Sequence, residues 1–599
     1  MCAIAGAINY LDYDLKAIKN ALNHRGPDEQ ATYINNNVAL LHTRLSIQDI
    51  SSGQQPFTFQ NFTIVFNGEI YNHLELREDL KEVDFQTSSD TETLLHLYIK
   101  YQDKMFDKID GMFSFAILDN TQNKIFLARD RSGKKPLYIY KNNSSILFCS
   151  ELNAIKVGVK SLDVNEDAIY SYLRTGLFFQ QYTPYNDVQE VLAGHYYEID
   201  LNNLEISQNR YFDILDCYNQ KSKLSFKDSL TKLDSLLHLS VKDRLLSSDL
   251  EVGAFLSGGI DSSLVVAIAS EYKQNLKTFT VKFDGTYDES ELARLTANKY
   301  NTQHTELTIS INLKDDIEKI LLGYGQPFMD SSAIPSFYVA KEAKKHVTVI
   351  LNGDGADELF GGYRRYVPMA NDWVGIANKL SFLLKFLPQP HNKKSIYNYA
   401  YRLLSMSSKD GLDFYLSATI DMFEDVYTFK NNNILEKMND FVNSISLDPL
   451  SKMLYLDFNI LLFSDLLVKI DISTMSHSLE GRSPFLSKYM LEFAPSLQNE
   501  YKVKGKTTKY ILRELGKKYL PSELITQPKR GFEVPLKNWV EKDLKQNIFD
   551  KLNSNSYASS FIDNKFIQKL LEKKINVSDE KRAKMLWNIY CLEVWKDSL

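Results

Sequence analysis

Short apolar runs that end in clusters of glycine and polar residues recur along this chain. Residues 250–256, 277–283 and 347–351 have the length and composition of buried β-strands. Leucines at helical spacing over residues 230–246 predict a helix ahead of the first of these runs. Alternating strands and helices predict a parallel α/β sheet, whose ligands bind at the carboxyl ends of the strands. Polar clusters that follow the first and third runs are therefore expected at one edge of the sheet.

The first of these clusters, residues 257–263, reads Ser-Gly-Gly-Ile-Asp-Ser-Ser and joins a predicted strand to a predicted helix. Gly258 and Gly259 carry no Cβ, so the backbone can approach a ligand closely. The helix that follows turns its free N–H groups and the positive end of its dipole towards that ligand. Further polar groups come from the Ser257, Ser262 and Ser263 hydroxyls and from the Asp261 carboxylate, which can hold Mg²⁺. The cluster predicts a phosphate-binding loop, although Ser-Gly-Gly alone would favour an ordinary tight turn.

Length and composition narrow the class of protein. A chain of 599 residues is too long for one hydrophobic core, so at least two domains are expected. The formal net charge of -6 gives no electrostatic reason to expect nucleic acid or membrane as a partner. We see no apolar run of about 18 residues and no signal peptide. Four scattered cysteines show neither metal-ligand spacing nor a disulfide framework. We therefore expect a cytoplasmic, globular protein with reduced cysteines.

Cys2 directly follows the initiator Met1. Removal of Met1 would leave the thiol on a residue with a free α-amine, whose pKa near 8 suits it to act as the base for that thiol. Taken alone, Cys2 could equally be a chance cysteine at position 2. Polar clusters at the ends of apolar or aromatic runs accompany it, and a sheet-based domain places its site there. These clusters are residues 24–28, 42–47, 66–72 and 88–92.

Together with Cys2, these clusters resemble the glutaminase domain of class II, N-terminal-nucleophile amidotransferases. The resemblance implies an αββα sandwich over residues 1–212, with Cys2 attacking the amide of glutamine. It implies an oxyanion hole made by Asn67 and the N–H of Gly68, since a tetrahedral oxyanion needs donors that are fixed in place. The remaining glutamine-binding residues implied are Arg44 for the α-carboxylate, Asp90 for the α-ammonium group, and Glu69.

The second half resembles the asparagine synthetases and related ATP pyrophosphatases. Residues 257–263 resemble their pyrophosphate loop, and residues 352–363 resemble a second motif of the same family. A polar run between the two regions predicts a linker over 213–226, and the resemblance implies a parallel-sheet α/β domain with added helices over 227–599. It also implies ATP and Mg²⁺ as cofactors, with Asp261 and Asp357 sharing the ion, because Mg²⁺ prefers oxygen ligands.

Other positions in this half take roles from the same resemblance. The adenine and ribose pocket would include Phe255, Leu256, Val281 and Gly353. Lys509 is the first candidate for contact with pyrophosphate, and Lys506 is the second. Asp354 stands where many asparagine synthetases have a glutamate that helps to deprotonate ammonia, a role that a shorter carboxylate can fill if the backbone lies closer. Residues 326–335 are expected in the acceptor pocket, and Glu480 and Arg482 are expected either to pair with each other or to contact substrate.

The resemblance as a whole implies a glutamine-dependent asparagine synthetase. It would release ammonia from glutamine, form β-aspartyl-AMP and pyrophosphate from aspartate and ATP, and join the two through a shielded, largely apolar passage. Asp354 keeps open another acceptor carboxylate, such as a uronic acid sugar in surface polysaccharide synthesis. A non-catalytic protein that retains the fold is a second alternative. A homodimer is the oligomeric state to test.

Overall fold

The structure is a computed structural model of the chain that describes residues 2–282, 290–308, 313–388, 395–527, 534–553 and 556–599. Met1 and Phe283, the last residue of the second predicted strand, lie outside the described residues. Within the described residues, no helix is long and apolar enough to cross a membrane.

Two six-stranded antiparallel sheets form the first 212 residues. Along the first sheet the strand order is β10-β8-β9-β1-β3-β2, and along the second it is β12-β11-β7-β6-β5-β4. Their strands are Ala3–Ile8 (β1), Glu29–Asn35 (β2), Val38–Arg44 (β3), Phe57–Phe59 (β4), Phe62–Ile70 (β5), Gly111–Asp119 (β6), Lys124–Arg129 (β7), Tyr138–Lys141 (β8), Ile146–Cys149 (β9), Val188–Glu190 (β10), His195–Asp200 (β11) and Ile206–Arg210 (β12).

Side-chain alternation along β1 explains how the layers stack. Ala3, Ala5 and Ala7 are small and face helices Leu15–Leu22 and Leu152–Gly158 on the outside of the first sheet. Ile4 and Ile8 point the opposite way, into an apolar layer that the first sheet shares with the second. Helix Asp90–Tyr101 covers the outer face of the second sheet. The order helix, sheet, sheet, helix confirms the predicted αββα sandwich.

The second half contains a five-stranded sheet whose neighbouring strands all run parallel. Its order is β15-β14-β13-β16-β17. The strands are Val252–Phe255 (β13), Lys277–Lys282 (β14), Gln303–Thr308 (β15), Val349–Leu351 (β16) and Glu480–Arg482 (β17). This confirms the predicted parallel α/β sheet, with the apolar runs forming β13, β14 and β16. The short β17 was not predicted, because its three residues carry two charges and have no apolar pattern.

Helices surround this sheet and extend well beyond it. The predicted helix over 230–246 is present as Phe226–Leu246. The other α-helices of the first half are His73–Arg77, Glu166–Thr175 and Ile214–Asn219. Those of the second half are Ile260–Tyr272, Ser290–Lys299, Leu313–Leu322, Ala333–Lys344, Ala356–Phe360, Tyr366–Ala370, Trp373–Leu380, Ile396–Ser407, Gly411–Thr419, Asn433–Ser444, Pro449–Leu456, Leu467–Met475, Lys488–Ser496, Asn499–Lys502, Tyr510–Tyr519, Ser522–Thr526, Leu536–Asn538, Lys545–Leu552, Asn564–Leu571 and Asp579–Lys596.

The segment predicted as a linker, residues 213–226, is not an exposed tether. It contains helix Ile214–Asn219, whose Ile214 and Tyr218 side chains are buried. Lys221 donates hydrogen bonds to the carbonyl oxygens of Pro495 and Leu497 in the second half. The sequence of this segment looks polar because its few apolar side chains are spaced apart. Two of those few, Ile214 and Tyr218, are nevertheless buried.

Candidate functional sites

A small cavity of about 30 Å³ lies beside the amino-terminal strand β1. Five of the six residues predicted for the glutaminase site line it: Cys2, Arg44, Gly68, Glu69 and Asp90. The sixth, Asn67, is fully buried between two lining residues of β5, Phe66 and Gly68. The predicted set therefore converges on one place, although its members come from four separate segments of the chain.

Strand β5 fixes the residues predicted for the oxyanion hole. Asn67 lies opposite Ser114 in β6, and its Nδ2 atom donates to Ser114 Oγ over 3.5 Å. The Oδ1 atom of Asn67 is buried without a hydrogen-bond partner among the described residues. A Cβ on Gly68 would lie 2.1 Å from the carbonyl oxygen of Met112, so only glycine fits there. Gly68, which shares the cavity with Cys2, is thus held in a tightly packed strand.

Arg44 and Asp90 hold opposite charges around the same cavity. The Arg44 guanidinium donates to the carbonyl oxygen of Asp49 over 2.6 Å and pairs with Glu29 Oε1 at 3.1 Å. Asp90 is the first residue of helix Asp90–Tyr101, and its Oδ2 accepts from the N–H of Ile70 over 2.9 Å. Burial raises the pKa of Asp90 to about 7, and the Glu480 charge adds to the rise, while the Ile70 N–H opposes it.

Burial also raises the pKa of the Cys2 thiol, although the charge of Arg44 opposes that rise. At neutral pH the thiol is therefore protonated and needs a base before it can attack an amide. The predicted base is the α-amine that removal of Met1 would free.

One residue of this cavity comes from the second half of the chain. Glu480, the first residue of β17, lines it although it is 478 positions from Cys2. Arg482, two residues further on, pairs with Glu480 Oε1 at 2.6 Å and with Glu69 Oε1 at 3.1 Å. The predicted Glu480–Arg482 pair therefore forms, and the Arg482 guanidinium also joins the two halves. Membership of Glu480 in the Cys2 cavity was missed, because no local pattern signals a contact that depends on how the halves dock.

A much larger cavity of about 1080 Å³ lies at the carboxyl ends of β13, β14 and β16. Nine predicted residues line it: Phe255, Leu256, Ser257, Asp261, Ser262, Val281, Gly353, Asp354 and Asp357. Gly258, Gly259 and Ser263 lie in the same loop without lining the cavity. Lys506 lies in an exposed turn away from it. The loop over residues 257–263 and the loop over residues 352–363 thus meet at the predicted edge of the sheet.

The phosphate-loop candidate is held by its own hydroxyl groups. Ser262 Oγ accepts from the N–H of Ser257 over 3.2 Å and lies 3.0 Å from Ser257 Oγ. Gly259 is the N-cap residue of helix Ile260–Tyr272, so the amino end of this helix lies in the loop. At Gly353 an added Cβ would come within 3.0 Å of Asp261 Cβ, so glycine allows the second loop to approach the first.

Lys509 lies between the two carboxylates predicted to share Mg²⁺. Its Nζ atom is 2.6 Å from Asp357 Oδ1 and also contacts Asp261 Oδ2. The other oxygen of Asp261, Oδ1, is buried without a hydrogen-bond partner among the described residues. No group of three or more His, Cys, Asp or Glu side chains could hold a metal ion within the described ranges. Two carboxylates alone fit Mg²⁺ only when phosphate oxygens and water complete its shell.

Asp354 contacts residues from both halves of the chain. Its Oδ2 atom accepts from Ser483 Oγ over 3.5 Å and lies 3.4 Å from the ammonium group of Lys134. Lys134 belongs to the turn between β7 and β8 and is buried. Lys134 therefore brings a positive charge from the first half of the chain to a carboxylate that lines the large cavity.

The predicted acceptor segment contributes Asp330, Ser331 and Ser332 to the wall of the large cavity. Lys469, another lining residue, lies 2.8 Å from Asp330 Oδ2 and donates to Ser332 Oγ over 2.9 Å. Cationic side chains of Arg402, Lys581 and Lys584 line the same cavity. The wall therefore offers charges of both signs to a ligand.

Buried ion pairs join the two halves of the chain. Arg25 lies 2.7 Å from Asp471 Oδ2 and 2.8 Å from Glu151 Oε1, and Lys135 lies 3.0 Å from Asp471 Oδ1. Burial alone would raise the pKa of Asp471, but Arg25 and Lys135 lower it well below its usual range. One small apolar cluster also spans the halves, made of Tyr71, Met112 and Met475. A largely apolar passage between the cavities stays a prediction.

Known proteins resemble this chain over almost its whole length. Residues 1–212 match the family model described as a glutamine amidotransferase domain, and residues 232–597 match the model described as asparagine synthase. Asparagine synthetase (glutamine-hydrolyzing) 1 of Bacillus subtilis strain 168 is 32% identical over 97% of this chain and 93% of its own length. A putative asparagine synthetase (glutamine-hydrolyzing) of Mycobacterium tuberculosis H37Rv is 29% identical over 96% of this chain and 92% of its own length.

Asparagine synthetase (glutamine-hydrolyzing) 1 of Arabidopsis thaliana is 26% identical over 90% of this chain and 78% of its own length. The asparagine synthase model alone matches more than half of the residues. The chain therefore belongs to the asparagine synthase family of glutamine-hydrolysing ligases.

Proposed function

We propose that this protein makes asparagine from aspartate, glutamine and ATP, with β-aspartyl-AMP as the intermediate. The observation that carries the proposal is the presence, in one chain, of a cavity with the Cys2 thiol and a second cavity with the Ser257–Ser262 loop. The relatives named above support the same activity.

Cys2 attacks the side-chain amide of glutamine. Asn67 Nδ2 and the N–H of Gly68 stabilise the oxyanion that forms, and both are rigid because β5 is paired with β6. Arg44 binds the α-carboxylate and Asp90 binds the α-ammonium group, as charge complementarity requires. Since burial keeps the Cys2 thiol protonated, this step requires removal of Met1 to free the α-amine base. Intact mass measurement would detect that removal.

ATP binds in the large cavity with its phosphates at the Ser257–Ser262 loop and the amino end of helix Ile260–Tyr272. Phe255, Leu256, Val281 and Gly353 surround the nucleoside. Asp261 and Asp357 would hold Mg²⁺, which neutralises phosphate charge when it is bound. Lys509 contacts both carboxylates, which places its ammonium group next to the site where the leaving pyrophosphate would lie.

Aspartate needs groups of both signs, because it carries two carboxylates and an α-ammonium group. Lys469, Lys581, Lys584 and Arg402 can receive carboxylates, and Asp330 can receive the ammonium group. Asp354 takes the proton that ammonia loses when it attacks the acyl-adenylate and expels AMP. Its contacts with Ser483 and Lys134 hold that carboxylate in the cavity.

The test is a product balance. Purified protein with ATP, Mg²⁺, aspartate and glutamine should form AMP, pyrophosphate, glutamate and asparagine in equal amounts. Cys2→Ala should lose this activity with glutamine and keep it with ammonium chloride. AMP formation that depends on a nucleotide-linked uronate instead of aspartate would overturn the acceptor assignment, and the absence of any glutamine-dependent AMP would overturn the proposal.

The partners, cellular location and assembly of the protein are also proposed. We expect small-molecule substrates as partners, a cytoplasmic location and no nucleic-acid or membrane partner, with a homodimer as the assembly to test. Cell fractionation and light scattering on the purified chain would check the location and the assembly.

A further inference from the structure

The turn between β7 and β8, residues 130–137, belongs to the first half of the chain but contacts the second half. Lys135 pairs there with Asp471 at 3.0 Å. Lys134, the residue before it, pairs with Asp354 at 3.4 Å. Because Asp354 lines the large cavity and Lys134 does not, the turn supports this cavity from behind its wall.

The backbone of this turn is fixed by the buried carboxylate of Asp130. Its Oδ1 atom accepts from the N–H groups of Ser132 over 3.1 Å and of Lys134 over 2.9 Å, and its Oδ2 atom accepts from the N–H of Lys135 over 3.0 Å. An aspartate that accepts several backbone N–H groups in this way holds a turn in one conformation. The Lys134 side chain is 3% exposed, and a buried ammonium group needs a partner such as Asp354.

The two carboxylate oxygens of Asp354 have different surroundings. Oδ2 lies 3.4 Å from the Nζ atom of Lys134 and accepts from Ser483 Oγ over 3.5 Å. Oδ1 accepts no hydrogen bond from the residues that the structure describes, and the Asp354 side chain is 30% exposed at the cavity. One oxygen is therefore anchored, and the other is left for a ligand.

We propose that Lys134 is a positioning residue for the ammonia step: it holds Oδ2 of Asp354 so that Oδ1 faces the ammonia that attacks the acyl-adenylate. The assignment rests on the proposed function, in which Asp354 takes the proton that ammonia loses. In that step the nitrogen bonds to the acyl carbon, the bond from this carbon to the phosphate oxygen of AMP breaks, and the proton passes to Oδ1. Lys134 touches neither substrate and acts through Asp354.

This role has a consequence that separates it from glutamine hydrolysis. Ammonium chloride supplies ammonia without Cys2, so the reaction with ammonium chloride bypasses the chemistry of the first half. If Lys134 positions Asp354, that reaction still depends on one residue of the first half. The first 212 residues thus complete the site of amide formation as well as supplying its ammonia.

The experiment is a double-mutant cycle with ammonium chloride as the nitrogen source. Lys134→Met should lower kcat for asparagine formation at least about tenfold, because a misplaced proton acceptor loses the near-attack geometry. The KM values for aspartate and ATP should change less than about threefold, and the first turnover of pyrophosphate should be undiminished. Added to Asp354→Asn, Lys134→Met should cost less than about twofold more, since its effect passes through Asp354. Additive losses, a smaller first turnover of pyrophosphate or an unchanged kcat in Lys134→Met would overturn the proposal.

Two controls test for structural damage. Arg131→Met breaks another ion pair of the same turn, with Glu492 at 3.1 Å, and should change kcat less than about twofold. Glutamine hydrolysis in Lys134→Met should also change less than about twofold, because Lys134 does not line the Cys2 cavity. Lys134→Gln carries the same comparison if Lys134→Met does not fold.

The cycle also distinguishes this inference from the proposed function. If Asp354→Asn does not slow amide formation, the role of Asp354 in the proposed function is wrong. If Asp354→Asn slows that step and Lys134→Met does not, only the inference about Lys134 is wrong.

Discussion

The Nζ atom of Lys509 lies 2.6 Å from Oδ1 of Asp357 and also contacts Oδ2 of Asp261. One ammonium group thereby joins carboxylates from two loops that are far apart in the sequence. Lys509 has a left-handed backbone, with φ of 51°, and a Cβ on Gly362 would come within 1.7 Å of Asp357 Oδ1. The contact is therefore tightly constrained by its surroundings, as expected for a group that must be positioned accurately.

Lys509→Met should lower ATP-dependent AMP formation at least about 100-fold, the loss typical when one fixed charge-stabilising donor is removed. Glutamine hydrolysis should persist, because Lys509 is not among the residues that line the Cys2 cavity. Pyrophosphate release and glutamate release, measured on the same sample, separate the two activities. Lys517→Met, an exposed change on the helix that follows Lys509, is the matched control. If Lys506→Met were the damaging change instead, the assignment to Lys509 would be wrong.

Asp354→Asn should slow amide formation at least about tenfold without slowing adenylate formation, because the lost carboxylate only accepts a proton from ammonia. A rapid-quench experiment would then show an undiminished first turnover of pyrophosphate followed by slow asparagine release. Asp354→Glu supplies the longer carboxylate and should retain most of the activity. A smaller first turnover in Asp354→Asn would mean that Asp354 acts before the ammonia step.

The kcat/KM for glutamine should fall by about tenfold per pH unit as the pH drops below about 7, because burial raises the pKa of Asp90 to about 7. Below that pH, Asp90 is protonated and cannot pair with the α-ammonium group. Removal of the Glu480 charge lowers the pKa of Asp90, so Glu480→Gln should move the inflection to lower pH. An inflection that stays in place in Asp90→Asn would belong to another group.

Arg25→Met should destabilise the chain by about 3–5 kcal/mol, the typical cost of leaving buried carboxylates without their cation. The shift in urea midpoint measures it, and Arg174→Met, which breaks a more exposed pair with Asp413 across the same halves, should cost less than about 1 kcal/mol. Because Arg25 and Lys135 lower the pKa of Asp471, this stability is present above about pH 4 and is lost as the pH falls further. Equal effects at pH 7 and pH 3 would contradict this account.

Much of both sites could be predicted because each loop follows a recognisable strand. The residues around Cys2 and the Ser257–Ser263 loop converge as expected, since the ends of neighbouring strands meet in space. Lys506 is an exception, because the turn that pairs Lys504 with Thr507 leaves it exposed. The contacts of Glu480 and Lys134 could not be predicted, since they depend on docking between segments that are more than 200 residues apart.

Strand β17 sets a limit on how this protein could be divided. Glu480 faces the Cys2 cavity, and the carbonyl oxygen of Arg482 accepts from the N–H of Asn352, next to the loop that carries Asp354. An excised fragment that ended at residue 212 would keep Cys2 but would lack the part of the cavity wall that Glu480 provides. Transplanting that fragment onto a foreign ligase would therefore require a substitute for the three residues of β17, as well as a suitable fusion point.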